Sequence, residues 1–490
     1  MEDGSPTNKE DIMRFSEYYG LNKSQAFLDF VDVDLETDIA VFIDPIALKT
    51  LKTPWGSEIA YYIKHYFSTV LDLIKSNNDE GAKYILEGLS ESNEFHLGFS
   101  SGKSRGHAFG VKTASLVWKA LTQSKAAKSG LLEDLEDTAL LIHGIGPDMI
   151  SDAICNIIRG PLIKYTQDMC EYYGIPLKQN VTSGPIWDTQ KSRWKQEYVD
   201  LPIAGNYGKV LLIPKIIARH RMNVDSGGFY THYILPAMQR EHIDRNSSLV
   251  HVLKDGSKKV YKKDLKNKYG EDKESIIEQT VIRPHIFKEY KQEKNSQPSP
   301  PISSESLAKL ENQEMPDIEA LIKKLQNIKT GKNDAKLYED TIEEILSLLF
   351  YPSLCNPMRE HNIHEGRKRV DIRYHNEPHK GFFKWLQDNY PCPYIFVECK
   401  NYGKEIGNPE VDQLSGRFGP SRGQVGILVC RSIDDRDRLL ARCRDTCLDR
   451  RGYILTLDDS DIITLLKDYE RNRLLQNYPH LDKMWSDLTS

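Results

Sequence analysis

The chain has 490 residues, 39% of them hydrophobic and 28% charged, with 66 basic residues against 71 acidic ones and a net charge of −5. This is the composition of an ordinary soluble globular protein, with room for about three domains or two larger ones. It excludes a generally basic nucleic-acid coat, though not a local basic patch.

The first 290 residues read as a mixed, helix-rich region. An acidic stretch comes first, with Asp32, Asp34, Glu36, Asp38 and Asp44. Its spacing does not match a calcium loop, and we expect a solvated surface or a partner interface. Residues 39–43 form a short apolar run ended by Asp44-Pro45. Residues 57–76 place Ile59, Tyr62, Ile63, Phe67, Val70 and Leu71 at helical spacing, and residues 108–121 and 149–172 also read as helices. Between them, GFSSGKSRGHAFG at 98–110 is one residue short of a P-loop and lacks a leading strand. It reads as a flexible loop, with phosphate contact through Lys103 and Arg105 as the alternative. The segment LIHGIGPDMISDAI at 141–154 reads as a tight turn between helices. Its similarity to a helix-hairpin-helix leaves nucleic-acid contact open; Asp148 and Asp152, one turn apart, could instead cap helices, with a catalytic or metal role as the remaining alternative. His96, His107 and His143 are not at metal-ligand spacing. KVLLIP at 209–214 predicts a buried strand. The basic stretch at 251–270, HVLKDGSKKVYKKDLKNKYG, predicts a solvated hairpin and helix, or a phosphate-contacting surface.

Residues 291–318 are rich in Ser, Pro, Gln, Lys and Glu. They offer little to bury and predict a flexible linker. The chain accordingly divides into an N-terminal recognition, regulatory or assembly domain (1–290), the linker, and a C-terminal domain (319–490). The latter alternates helix and strand. A helix at 337–350 turns Leu337, Ile342, Ile345, Leu346 and Leu349 to the core. Strands follow at 369–374, 394–399, 425–430 and 453–457, with helices at 381–390, 409–417, 436–449 and 459–473. Layered α/β packing is the natural outcome.

Charge at the ends of these strands carries the chemistry. Glu398 and Lys400 stand two apart on one strand and share a face, and Asp371 on a neighbouring strand can join them. Two carboxylates suit a hard divalent cation, Mg²⁺ by default, and the carbonyl of Cys399 is a further ligand. A lysine beside them can orient or deprotonate a water, or stabilise a charged phosphate.

The pieces YEDTIEEILSLL (338–349), RVDI (369–372), FVECKNY (396–402) and EVDQLSGRF (410–418) together resemble the PD-(D/E)xK nuclease superfamily, most closely its Mrr-like restriction endonuclease branch. The resemblance covers about residues 330–460. It implies a restriction-endonuclease-like mixed sheet flanked by helices. Asp371 takes the place of the motif aspartate, and Glu398 and Lys400 form the (D/E)xK element. Glu339 is the helix carboxylate that assists the metal, with Glu343 as competitor, and Gln413 helps place the attacked phosphate or water. Val370 stands where the nominal proline would be. Arg367, Lys368 and Arg369 precede the motif and Lys404, Arg417 and Arg422 follow it, as candidate nucleic-acid contacts.

From the resemblance we expect a Mg²⁺-dependent DNA endonuclease, with Mn²⁺ able to substitute, acting in restriction or antiphage defence. A homodimer or higher homo-oligomer and a defence-system partner protein are the expected associations. The alternatives are an RNA-cleaving nuclease and a non-catalytic DNA-binding or oligomerisation module.

Eight cysteines form no CxxC pair, which excludes a disulfide scaffold and points to a reducing compartment. The polar residues 1–11 lack an apolar segment behind them, and no apolar run approaches the roughly 20 residues of a membrane span. The expectation is a cytoplasmic protein with no membrane contact.

Overall fold

The structure, a computed structural model, describes residues 13–89, 94–98, 117, 119–124, 127, 131–222, 224–363, 368–403 and 405–490. The glycine- and serine-rich loop expected at 98–110 lies outside these residues from position 99 on, as does most of the expected helix at 108–121.

Apolar side chains gather into two cores. One is built from residues of the N-terminal region together with Ile302, Leu307 and Cys355, the other from residues 321–488 together with Ala26. The first belongs to a large helix-rich region. Its longest helix, Pro54–Lys75, is capped by Thr53 Oγ1 accepting from Gly56 N at 3.2 Å, and it buries Ile59, Ile63, Phe67, Val70 and Leu71. The helix expected over 149–172 is two helices, Pro147–Ile157 and Arg159–Tyr173, with a break at Ile158. The GIG segment is a turn into the first of these. Gly144 takes φ +81°, which glycine adopts without steric cost.

Two expectations for this region fail. Val210–Ile213 are fully buried, yet they make single hydrogen bonds, such as Val31 N to Ile213 O at 2.9 Å, with isolated bridges only at the flanking Lys209 and Pro214, rather than a strand in a sheet. The run is apolar because it lies in the core, and its hydrogen-bond partners are single residues of separate segments, Val31, Glu94, Thr166 and Pro202. Nor is the acidic stretch a solvated face throughout, although Glu36 is exposed. Asp32 is buried, and its carboxylate accepts from Ser16 N at 2.9 Å and Ser16 Oγ at 2.6 Å. Asp34 is also buried, and Asp44 caps the turn that follows it, accepting from Ile46 N at 3.0 Å. These carboxylates satisfy particular donors, local to Asp44 and sixteen residues away for Asp32, which composition does not reveal.

The C-terminal region is a smaller mixed sheet flanked by helices. Helix α1 (Ala335–Phe350) leads into β1 (Leu354–Ile363) and β2 (Lys368–Asn376). Helix α2 (Gly381–Asn389) precedes β3 (Tyr394–Lys400), α3 (Asn408–Ser415) precedes β4 (Val425–Cys430), and α4 (Arg436–Leu448) precedes β5 (Tyr453–Asp458), with α5 (Asp459–Lys467) next. The strand order is β5-β4-β3-β2-β1. The β1, β2 and β3 pairs are antiparallel, and β4 and β5 add in parallel. Strand β4 (VGILVC) is buried at every position, as a central parallel strand covered on both faces must be. Helix α1 turns Tyr338, Ile342, Ile345, Leu346 and Leu349 inward, but Leu337 is about half exposed, one position off the apolar stripe. Strand β1 has no counterpart among the expected elements.

The expected flexible linker is structured. Helix Pro284–Ser296 runs into it, helix Ser304–Leu310 lies within it, and Ile302, Leu307 and Ala308 are buried. Ile302 ties it to both regions, donating N–H to Ala218 O at 3.1 Å and accepting from Tyr351 Oη at 2.8 Å. The two regions also meet directly. The Glu377 carboxylate accepts from Lys52 N at 2.7 Å and Thr53 N at 2.9 Å, and Lys23 Nζ lies 2.5 Å from Glu344 Oε1.

A buried carboxyl at this junction sets a pH dependence. Both oxygens of Glu311 are buried without a hydrogen-bond partner, and Arg14 Nη1 is 4.0 Å from Oε2. Burial pushes its pKa up to about 8, against the pull of Arg14. Between its ordinary value and about 8 the folded chain therefore holds a proton that the unfolded chain releases. The stability carried by this neutral carboxyl is present in acid and is lost as pH rises through about 8, at about 1.4 kcal/mol per pH unit across the window. Glu311→Gln is expected to remove this slope. Urea unfolding at pH 5 and pH 8 should show the variant gaining on the wild type at pH 8; an equal difference at both pH values would refute it.

Candidate active site

The site sits where β2 and β3 pair. Ile395, Phe396 and Val397 are fully buried and fix β3 in place, each apolar side chain contributing about 1.5–3 kcal/mol of burial. Alternation then sends Glu398 and Lys400 to one face, where Lys400 Nζ donates to Glu398 Oε1 at 2.7 Å. Ile372 pairs with Val397, so Asp371, one residue earlier on an antiparallel strand, stands across from Glu398. Asp371 Oδ2 accepts from the Cys399 amide at 2.8 Å. From α3, Gln413 Nε2 donates to Glu398 Oε1, while Gln413 Oε1 accepts from Lys400 Nζ at 3.3 Å. Register, strand alternation and one helix turn thus gather Asp371, Glu398, Lys400 and Gln413.

The electrostatics follow from burial and from this crowding. Glu398 is 1% exposed. Its pKa is raised, first by burial and then by Asp371, with Lys400 and Arg417 pulling it back. Lys400 holds its proton more tightly than an ordinary lysine, because Glu398 and Asp371 outweigh its burial. The Cys399 thiol packs against the C-terminal core. Its pKa is raised well above the usual range by burial, then by Asp371, Glu339 and Glu398. Glu339 is raised by burial and by Asp371, while Lys336 Nζ, 2.8 Å from its Oε1, opposes the shift.

This separates the two helix carboxylates. Glu339 lies within the field of Asp371. Glu343 is 2% exposed and committed elsewhere, accepting from Arg359 Nη2 at 3.1 Å and Ser347 Oγ at 2.8 Å.

Among the described residues, no three His, Cys, Asp or Glu side chains stand together as a metal-binding group. Glu398 Oε1 is taken by Lys400 and Gln413, and Asp371 Oδ2 by the Cys399 amide. Glu398 Oε2, however, is buried with no hydrogen-bond partner. An unsatisfied buried carboxylate oxygen is costly, and a small cation is one group that satisfies it. Two carboxylates beside a backbone carbonyl form an all-oxygen donor set, the type hard divalent ions take.

The candidate rim is less uniform. Arg367 and Lys404 lie outside the described residues, and the side chains of Lys368 and Arg369 are likewise not described. Arg417 is buried and faces Glu398, with Nε unpartnered. Arg422 braces the loop after α3, its Nε donating to Arg417 O at 3.1 Å and its Nη2 to Phe418 O at 3.3 Å. One positioning residue escapes sequence reasoning. Asn401 Nδ2 donates to Lys329 O at 3.0 Å and Gly331 O at 2.8 Å, fastening the segment before α1, the helix that carries Glu339. Its partners lie about seventy residues away, and an asparagine after a strand carries no signal of them.

Residues 20–225 match a family described as a domain of unknown function (DUF8370). No curated protein and no solved structure matches the chain. Among the described residues no helix is long and apolar enough to cross a membrane.

Proposed function

We propose that the C-terminal region is a restriction-endonuclease-like domain of the PD-(D/E)xK type and that the protein is a metal-dependent DNA endonuclease. The observation that carries this reading is the convergence of Asp371, Glu398, Lys400 and Gln413 around the unsatisfied Glu398 Oε2. Asp371, Glu398 and the carbonyl of Cys399 would hold Mg²⁺ or Mn²⁺, with Glu339 assisting. When bound, the ion supplies charge neutralisation at a phosphodiester and acidifies water. The chain supplies the rest. Lys400 presents a firmly held ammonium to the water or the phosphate oxygen, and Gln413 fixes the Lys400 and Glu398 side chains relative to one another. Arg417 adds a buried cation beside Glu398. A homodimer gives one centre per strand of a duplex, and restriction or antiphage defence, with a partner protein, is the setting we infer from the resemblance.

A second reading is a non-catalytic DNA-binding or oligomerisation module. Its support is that Lys400 and Gln413 already occupy Glu398 Oε1 and that no metal-binding group stands preformed among the described residues. Plasmid DNA and a structured RNA, each incubated with Mg²⁺ or Mn²⁺, separate the readings. Wild type is expected to nick plasmid only with metal, and Asp371→Asn to lose at least about 10²-fold of that rate, the scale of removing one group that stabilises developing charge. Cleavage of RNA alone would move the substrate, and cleavage of neither by a folded protein would favour the module.

A further inference from the structure

The basic stretch at 251–270 folds into a projecting ribbon and a helix. Strands His251–Val252 and Lys258–Lys259 pair through a turn at Gly256, φ +80°, and helix Lys262–Tyr269 follows. Every residue from 251 to 259 is exposed. The unit is anchored from beneath, by Val260 and Leu265, both buried, and by Gln239, whose Nε2 donates to Val260 O.

Its charges are unbalanced. Residues 251–268 carry seven lysines and two aspartates on a chain that is net acidic. Both aspartates are spent locally. Asp255 accepts from Ser257 N at 3.0 Å and Ser257 Oγ at 2.7 Å, and Asp264 Oδ2 lies 2.9 Å from His251 Nε2. Of the seven lysines, only Lys266 pairs with a carboxylate among the described residues, Glu271 at 2.7 Å. Lys262 donates to Thr231 O at 2.8 Å, and Lys259 and Lys268 lie over tyrosine rings. By contrast, Lys291 elsewhere in the fold reaches three carboxylates, those of Glu133, Asp134 and Asp137. Apolar groups are interleaved with the charge: Val252 is 68% and Tyr261 42% exposed.

Lysines on a ribbon edge also guard it against pairing with another chain. That accounts for Lys254, Lys258 and Lys259, but not for continuation of the charge along the helix through Lys262, Lys263, Lys266 and Lys268. Clustered like charges with apolar contacts among them fit a polyanion, whose condensed counterions are released as lysines replace them. A two-stranded ribbon also matches the width of a DNA major groove.

We propose that the ribbon 251–259 and the helix Lys262–Tyr269 bind the backbone of duplex DNA, as a contact separate from the metal-dependent centre. The choice of DNA among polyanions rests on the nuclease reading.

The test is the affinity of the full-length chain for a fluorescently labelled 30-base-pair duplex, by anisotropy, in EDTA and across a KCl series. A K254Q/K258Q/K259Q variant is expected to lose on the order of 10²-fold affinity at 0.1 M salt. Its slope of log K against log salt should be shallower by about 0.9 for each lysine removed. The K254R/K258R/K259R variant should bind as wild type does. An unchanged slope in the glutamine variant, equal losses in both variants, or no binding by wild type overturns the proposal. So does a ribbon-dependent preference for phosphatidylserine vesicles or single-stranded RNA over the duplex. Because EDTA removes cleavage from the measurement, a protein that binds through the ribbon yet never cuts would sink the nuclease reading and leave this contact standing.

Discussion

Lys400→Met is expected to lower metal-dependent cleavage by at least about 10³-fold. A preorganised charged donor at developing phosphate charge is worth about 10²–10³ in rate, and a positioned proton donor or acceptor about 10²–10⁴. Lys400 is placed for either role, its ammonium 2.7 Å from Glu398 Oε1 and 3.3 Å from Gln413 Oε1. The same substitution strips Glu398 of its countercharge. Breaking a buried pair from one side costs about 3–5 kcal/mol. The cost here is smaller, because the Glu398 carboxyl is already inclined toward its protonated form by burial and Asp371, and Gln413 still donates to it. Two variants therefore keep chemistry and folding apart. Lys400→Met combined with Glu398→Gln should recover most of the lost thermal stability and none of the cleavage. Lys400→Arg should keep the charge and fold while losing most activity, since a planar fork cannot take the place of a compact ammonium between Glu398 and Gln413. Plasmid nicking and thermal melting on the same samples provide both readouts. Cleavage by a folded Lys400→Met protein at the wild-type rate would remove this lysine from the chemistry, and the assignment with it.

What the sequence discloses, and what it hides, follows from how many residues carry each signal. YIFVEC and VGILVC are continuous apolar runs, so β3 and β4 are legible on their own, and strand alternation then places Glu398 beside Lys400 without further information. Asp371 is legible only with its neighbours, because joining it to Glu398 needs the antiparallel register of Ile372 with Val397. Strand β1 is hidden because LCNPMREHNI is polar and contains Pro357, both tolerated on an edge strand paired on one side only. The linker is misread for the opposite reason. Its average composition is that of a disordered segment, yet a few residues, Ile302, Leu307 and Ala308 among them, anchor it in the cores. The acidic stretch near the N terminus is likewise misjudged by composition, since Asp32 is held by the amide and hydroxyl of Ser16, sixteen residues earlier, and Asp44 by the amide of Ile46, two residues on.

The largest expected loss of stability lies at the junction between the two regions, in Asp29→Ala. Asp29 is 7% exposed and bridges them: Oδ1 accepts from Asn356 N at 2.7 Å in the C-terminal region, and Oδ2 from Tyr165 Oη at 2.7 Å in the N-terminal one. Its backbone carbonyl accepts from Lys215 N at 2.8 Å. The Lys215 ammonium is itself buried, with Gln25 O at 3.1 Å and the Tyr351 ring at 4.3 Å, and burial lowers its pKa to about 8 even though Asp29 favours its charged form. Removing the carboxylate strands an amide and a hydroxyl together, and takes the largest favourable charge away from the buried ammonium, which keeps Gln25 O and the Tyr351 ring. Unsatisfied buried donors cost about 1–3 kcal/mol each, and an uncompensated buried charge about 3–5 kcal/mol. Relaxation and loss of the lysine proton temper the sum, and an overall loss of about 3–5 kcal/mol is expected at pH 7. The pH dependence has a definite sign. Below about 8 the folded wild type bears the cost of a buried charged lysine. Between there and its ordinary value of 10.5 the unfolded chain holds more protons, so this group favours folding increasingly as pH rises. Asp29→Ala lowers the folded pKa further, so the lysine's share of the loss is largest near neutrality and shrinks toward pH 10. Asp29→Asn, which keeps an acceptor but no charge, should fall between. Urea unfolding at pH 7 and pH 9.5, followed by tryptophan fluorescence, measures all three proteins, with Trp187 and Trp194 in one region and Trp385 and Trp485 in the other. A loss at pH 7 below about 1 kcal/mol, or one that grows in alkali, would mean that Lys215 is balanced by some other group and that Asp29 is not the bond between the two halves.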